Sequence, residues 1–298
     1  MTDVLKYTAF SQHPAGGNPA GVVLDASGLD FETMQQLGAD AGVSETAFLF
    51  PVGVDDFVAR YFSPRSEVSF SAHATIAAAV AYAERRGPGG MTLYTRSGRV
   101  EVATRDAGCG GLAATVTSVP TRVVKIGRDD LALILEALGW TASDLDPTLP
   151  SWVAYAGTWH PIIAATNRDQ LADLHHDDSA LRALLSCRGW TTVNLVWRAS
   201  ERSFHCRDAF SPGGAVEPAA TGAAAAALGG YLRALSVLPL PATVSVFQGE
   251  ELGRPSQLSV HVPAHFGSGV SVTGHAVALP TSRTGWSSPA DQLVAAGG

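Results

Sequence analysis

Charge is scarce in this chain. Only 16% of its 298 residues are Asp, Glu, Lys or Arg, and the balance is acidic, with a formal net charge of −7. No block or stripe of Lys and Arg is present, which argues against nucleic acid as a partner. Cysteine is rarer still. Cys109, Cys187 and Cys206 show no CxxC spacing and no paired framework, so they read as reduced thiols in a cytoplasmic protein. A long uninterrupted apolar run is also missing. The most apolar region, 222–247, is broken by Gly229, Gly230, Arg233, Pro239 and Pro241, and it cannot span a bilayer as one helix. No membrane partner is expected. The opening MTDVLKYTAFSQ lacks the apolar segment of a secretory signal. No GxGxxG opens a helix and there is no P-loop, so no nucleotide site is expected.

What the chain does have is a 46% hydrophobic composition, ample for a buried core, and an internal echo. YFSPRSEVSFSAHATIAAAVAY begins at Tyr61 and AFSPGGAVEPAATGAAAAALGG begins at Ala209. An ungapped offset of 148, taking Phe62 to Phe210, aligns the two FSP triplets, Val68 with Val216, Ala72 with Ala220 and Ala77-Ala78-Ala79 with Ala225-Ala226-Ala227. A duplicated unit is expected, with its boundary near 115–125. GVVLD, TAFLF, VARYF, MTLYT, GRVEVAT and LSVHVP read as strands. DFETMQQLGADAG reads as a helix stopped by Gly42, and DDLALILEALGW as another helix. AHATIAAAVAYAERR and TGAAAAALGGYLRAL are apolar nearly all round, as buried helices are. The expected fold is α+β, with two pseudo-symmetric halves, each a sheet wrapped around a central helix. The halves are expected at 1–118 and 119–280, with a loose tail at 281–298.

Three places carry candidate chemistry. His73 stands at the start of the first buried helix, where free N–H groups and the helix dipole favour an anion; it is either a simple cap or part of a site. The second helix start, at 220–225, would face it across the cleft between the halves. Glu45, in VSETAFLF, sits at the entry to an apolar strand. It is either a solvated turn residue or an acid/base whose pKa desolvation would raise into a useful range. PAGGNPAGVVLD reads as a tight turn that would present Asn18 to a ligand.

Together these segments carry a resemblance. PAGGNPAGVVL, VSETAFLF, RYFSP…EVSFSAHATIAAA and PAATGAAAAALGGYL occur in the order and spacing of the PhzF-like family, over roughly residues 1–280. That resemblance implies the diaminopimelate epimerase fold and a cofactor-free isomerase. It implies Glu45 as the acid/base that moves a proton between carbons of a small unsaturated amino or carboxylic acid, with His73 as its orienting or relay partner. The substrate-binding set is then expected at Asn18, Ser44, Ser71, Ala72, Ala74, Glu217, Thr221, Gly222 and Ala223. A secondary-metabolite pathway and a homodimer are the family's further implications.

The chain also departs from the family pattern. Where C-G-H-A-T is usual, it reads Ser71-Ala72-His73-Ala74-Thr75, and the Ala72 methyl narrows the space beside a substrate carboxylate. Where E-D-P-A-T-G-S is usual, it reads Glu217-Pro218-Ala219-Ala220-Thr221-Gly222-Ala223. The aspartate position falls on Pro218 and the serine on Ala223, which leaves Glu217 as the carboxylate that would fill the gap. Ser71 and Ala219 stand where two-cysteine racemases of this fold carry their thiols, so a two-thiol mechanism is excluded. One base and a conjugated substrate suit a same-face proton shift.

The alternative reading is a small-molecule binding protein that kept the fold after losing catalysis. A hydrolase would need a third group to complete a triad with Ser71 and His73, and none is evident in the sequence. LHHDDS (174–179) reads as a solvated surface turn rather than a metal site, because adjacent helical histidines diverge. His205-Cys206 reads as structural.

Overall fold

The computed structural model describes residues 3–108, 111–209 and 217–280. The FSP triplet at Phe210, Cys109 and the expected loose tail lie outside them. The sequence patterns translate directly into elements. Short apolar or alternating runs form β1 (Leu5–Ala9), β2 (Asn18–Val23), β3 (Glu45–Pro51), β4 (Asp56–Phe62), the two-residue β5 (Glu67–Val68), β6 (Gly90–Thr95), β7 (Gly98–Asp106) and β8 (Leu112–Thr117). Between them run α1 (Phe31–Asp40), capped by Asp30 and ended at Gly42 with φ +66°, and α2 (Ala72–Arg86).

The second half repeats the scheme. It contains β9 (Arg122–Lys125), α3 (Arg128–Leu138), β10 (Trp152–Tyr155), β11 (Trp159–Ala164), the short α4 (Asp169–Ala172), α5 (Asp178–Arg188), β12 (Val193–Ser200), β13 (Ser203–Ala209), α6 (Gly222–Leu235), β14 (Ala242–Gln248), β15 (Ser256–Val262) and β16 (Ser271–Ala278). Asp177 caps α5, so half of the LHHDDS stretch is a helix start; His175 pairs with Asp173 and His176 with Asp178.

All sixteen described strands join one sheet in the order β1-β2-β3-β4-β6-β7-β8-β16-β15-β14-β13-β12-β11-β10-β9, with β5 beside β4. The last described strand, β16, also pairs with β1 and so closes the first-half strands into a ring. Helix α2 runs through that ring, packed on β1, β2, β3, β7, β8 and β16. Every residue from His73 to Ala81 is buried. The second-half sheet curls around α6, which touches β9 at one end and β15 and β16 at the other. Small side chains make this possible. A Cβ on Gly229 would fall 2.8 Å from a Val270 methyl, and one on Gly230 would fall 2.6 Å from Thr121. Helices α3 and α5 pack against the outer face of the second half, and α1 against that of the first. Among the described residues no helix is long and apolar enough to cross a membrane.

The internal echo is real, but its register is not the ungapped one. The inner face of β4 carries Phe57, Ala59 and Tyr61, while that of β13 carries Phe204, Cys206 and Asp208, an offset of 147. The caps of the two central helices are Ser71 and Thr221, an offset of 150. A uniform offset of 148 would turn the strand inside out, because side chains alternate between faces. Alanine runs match in almost any register and hide the three extra residues.

Candidate active site

Glu45 and His73 are far apart in sequence and meet at the start of α2. Gly42 stops α1, the chain enters β3 at Glu45 parallel to β2, and the Ala20–Glu45 pairing places the carboxylate beside the helix start. Glu45 Oε2 lies 3.0 Å from His73 Nε2, with the Glu45 side chain 23% exposed and the histidine 10%. Ser44 Oγ is also 3.0 Å from Nε2. On the other side of the ring, Ser71 Oγ lies 3.3 Å from Nδ1 and caps the helix by accepting from Ala74 N–H at 3.4 Å. Nε2 is thus the ring nitrogen that faces Glu45 and Ser44, and Nδ1 the one that faces Ser71.

This geometry corrects two expectations. Burial does push the Glu45 carboxyl up, as its largest single influence. The hydrogen bond and charge of His73, with help from Ser44, outweigh that push, and the pKa ends below the usual glutamate value. Glu45 is therefore a carboxylate poised to accept a proton at neutral pH. The third group absent from the sequence-level triad also exists, since Ser71, His73 and Glu45 form one hydrogen-bonded chain. Ser71 is buried there and its oxygen is committed to the helix cap, so it is not presented as a nucleophile.

The second helix start faces the first. A Cβ built on Gly222 would sit 2.7 Å from Ala72 Cβ and 3.3 Å from the Phe10 ring, so the two N-termini meet at Ala72 and Gly222 above Phe10. Phe10 has a left-handed backbone, φ +67°, fixed by Phe10 N–H to His275 O and Gln257 N–H to Phe10 O. Asn18 opens β2 rather than standing in a turn. It is 4% exposed, and its Nδ2 donates to Ala220 O at 2.9 Å, tying the halves together. Arg254, which the sequence reading missed, clamps the preceding loop by donating to the Gly16 and Gly17 carbonyls. Thr221 caps α6 in position only: its own hydroxyl makes no cap hydrogen bond, and its N–H donates to the Gln248 side chain. The N–H groups of its first turn are left without the cap that Ser71 gives α2. Ala223 is the second residue of α6, as His73 is of α2.

Glu217 is not the free carboxylate expected in place of an aspartate at Pro218. Both of its oxygens are held by Arg207, at 3.0 and 2.7 Å, with each side chain 11% exposed. The first half has the same device, Arg60 gripping Glu67 at 2.8 and 2.9 Å ahead of α2. In both halves a bidentate pair holds a glutamate a few residues ahead of the central helix. Among the described residues no cluster of three or more His, Cys, Asp or Glu could hold a metal ion.

These features can be set beside known proteins. A family model described as phenazine biosynthesis-like protein matches residues 7–282. The chain belongs to that family. It is 32% identical over 268 residues to an uncharacterized isomerase of Deinococcus radiodurans, covering 88% of this chain and 87% of the relative. It is 29% identical over 252 residues to the trans-2,3-dihydro-3-hydroxyanthranilate isomerase of Pseudomonas fluorescens, covering 83% and 86%. The crystal structure of a PhzF-family phenazine biosynthesis protein from Bacillus anthracis superposes with a TM-score of 0.83 at 25% identity, covering 93% of this chain and 96% of that one. A hydroxyproline epimerase from Agrobacterium vitis shares the fold alone, at a TM-score of 0.59 and 14% identity, covering 92% and 88%. The family member described here thus has the diaminopimelate epimerase-like fold and is an isomerase.

The contact at Ala72 and Gly222 makes a direct prediction. Gly222→Ala forces the helix starts apart, costing about 1–3 kcal/mol of stability, as overpacking does. The double variant with Ala72→Gly moves the methyl to the other helix and recovers most of the loss. Thermal denaturation of both single variants and the pair measures this coupling.

Proposed function

We propose that this isomerase shifts a proton, and with it a double bond, in a small unsaturated amino or carboxylic acid. The observation that carries the reading is the Glu45–His73 contact at 3.0 Å, set at one helix start and facing another that no side chain caps. Glu45 takes a proton from a carbon acidified by the substrate's carboxyl and conjugation. The electron pair spreads over the π-system as an enolate-like anion. N–H groups of the two helix starts and His73 stabilise that charge. Glu45 then returns the proton to another carbon of the same face. No thiol pair opposes it among the described residues: Ser71 and Ala219 stand at the racemase thiol positions, and burial pushes the fully enclosed Cys206 thiol far up.

The named activity of the Pseudomonas relatives supports this class and makes trans-2,3-dihydro-3-hydroxyanthranilate the first compound to try. Natural-product metabolism is the setting that this resemblance favours. The test is proton NMR in D₂O with that compound, cyclic imino acids and unsaturated dicarboxylates. Deuterium entering a carbon position, or a double bond moving, identifies the substrate class. Binding to the wild type without exchange or rearrangement anywhere in the panel overturns the proposal.

A further inference from the structure

Below the start of α6 lies a buried polar chain that this reaction leaves unused. His160 on β11, Thr192 just ahead of β12, Asp208 on β13 and Gln248 on β14 are each no more than 2% exposed. The links are continuous. Thr158 Oγ1 lies 2.8 Å from His160 Nε2, and His160 Nδ1 lies 2.9 Å from Thr192 Oγ1. Thr192 donates to Asp208 Oδ1 at 3.3 Å, Gln248 Nε2 donates to Asp208 Oδ2 at 2.7 Å, and the Thr221 N–H donates to Gln248 Oε1 at 3.0 Å. The chain therefore ends on the backbone of the uncapped helix start.

The first half holds its helix differently. Tyr61, at the inner-face position equivalent to Asp208, bonds Thr75 Oγ1, which donates to Ser71 O. That buttress is a phenol and two neutral groups; the one under α6 contains a carboxyl. Two further polar groups there lack partners. Asn194, paired with Asp208 across β12 and β13, is fully buried with neither end of its amide hydrogen-bonded, and Thr221 Oγ1 is buried without a hydrogen bond.

We propose that Asp208 is a positioning residue for the active site: acting through Gln248, its gain or loss of a proton sets the charge behind the start of α6 and so the hold on a substrate carboxylate. The proposal rests on the reading of the two helix starts as the substrate site. As a carboxylate, Asp208 opposes the positive end of the α6 dipole and repels an anion bound in front of it. As a neutral acid it leaves that end free to bind one. The hydrogen bonds permit either state. With Asp208 ionised, Thr158, His160 and Thr192 all donate towards it; with Asp208 protonated on Oδ1, all three reverse. Gln248 keeps the Thr221 N–H in both.

The surrounding groups place this change within reach of neutral pH. Burial pushes the Asp208 carboxyl up to about 7. Gln248 and Thr192, which donate to it, pull it down, while the Glu217 charge adds to the rise. The titratable or charged groups facing it are Cys206 on its own strand, held as a thiol by burial, His160, whose pKa burial lowers to about 3, and Glu217 with its partner Arg207. Helix α6 contributes no acidic residue in its first turn.

The experiment needs no substrate. Backbone amide signals of Thr221 and Gly222 are followed by ¹⁵N NMR from pH 5.5 to 9 in wild type, Asp208→Asn and Gln248→Met, with Ala72 and Ala74 on α2 as reference. The expected result is a titration of the Thr221 signal in wild type with a midpoint within about a unit of 7, absent from Asp208→Asn and strongly reduced in Gln248→Met. A flat wild-type signal, or a titration that persists in Asp208→Asn, overturns the proposal. With the substrate found in D₂O, KM of wild type should then rise roughly three- to tenfold from pH 6 to 8.5 with kcat little changed, and stay flat in Asp208→Asn. Equal KM profiles in the two proteins would also overturn it. An amide titration without any turnover would count against the isomerase substrate class, and not against the role of Asp208 at the helix start.

Discussion

Glu45→Gln lowers turnover by about 10²- to 10⁴-fold, the usual worth of a positioned acid/base, and abolishes deuterium incorporation in the D₂O assay. The amide matches the carboxylate in shape and can still hydrogen-bond to His73 Nε2, so the geometry of the α2 start survives while the proton acceptor is gone. Substrate binding is expected to change far less than kcat, because the helix N–H groups are untouched. The pH profile gives a second check. Because His73 and Ser44 hold the Glu45 carboxyl below its ordinary value of 4.5, the acidic fall of kcat/KM due to Glu45 lies below that of a free glutamate. Turnover by Glu45→Gln at the wild-type rate would remove Glu45 from the mechanism.

Asp208 yields the largest effect on stability, with the opposite sign to a typical acid. Its folded pKa, about 7, stands above its ordinary value of 3.8. A group raised on folding stabilises the native state at low pH. That contribution is complete below about pH 4, declines as pH rises towards 7, and is absent above it. A rise of this size is worth roughly 4 kcal/mol. Between pH 5 and 8.5 the part lost is about 2 to 3 kcal/mol, or on the order of 3–5 °C in Tm for a chain of this size. Asparagine at 208 cannot ionise. Asp208→Asn should therefore lack this decline, gaining on wild type steadily between pH 5 and 7 and keeping a constant lead above that. Scanning calorimetry of both proteins across this range isolates the effect, because other titrating groups cancel in the difference. Parallel curves would mean that Asp208 does not titrate in this window.

Much of the architecture was legible because its signals are local. The all-round apolar pattern marked α2 and α6, alternation marked the strands, and Gly42 marked the end of α1. Glu45 and His73 were both visible, but their contact was not, since it depends on β3 entering beside β2 and on α2 threading the ring. The direction of the Glu45 shift was misjudged for the same reason. Desolvation was inferred from the apolar strand, while the outweighing partner came from another element. Glu217 looked free because its partner, Arg207, lies ten residues upstream on β13, and nothing in the sequence pairs the two. Asp208 gave no sign at all: in HCRDA a polar residue looks solvated, and only the parity of β13 turns it inward. The offset between the halves failed where glycine and alanine carry too little information to fix a register.

The placement of β16 has a consequence for the order in which the molecule can be made. Glu45 and His73 are both synthesised within the first quarter of the chain, yet the ring that seats them has two open edges, on β1 and β8, until Ser271–Ala278 arrives between them. A nascent first half is a strip with unsatisfied backbone on both sides, the form most prone to wrong pairing. Competence is therefore withheld until Ala278 has been made. The two halves, despite their common plan, cannot mature one after the other like beads on a string; the tail of the later one is the latch of the earlier.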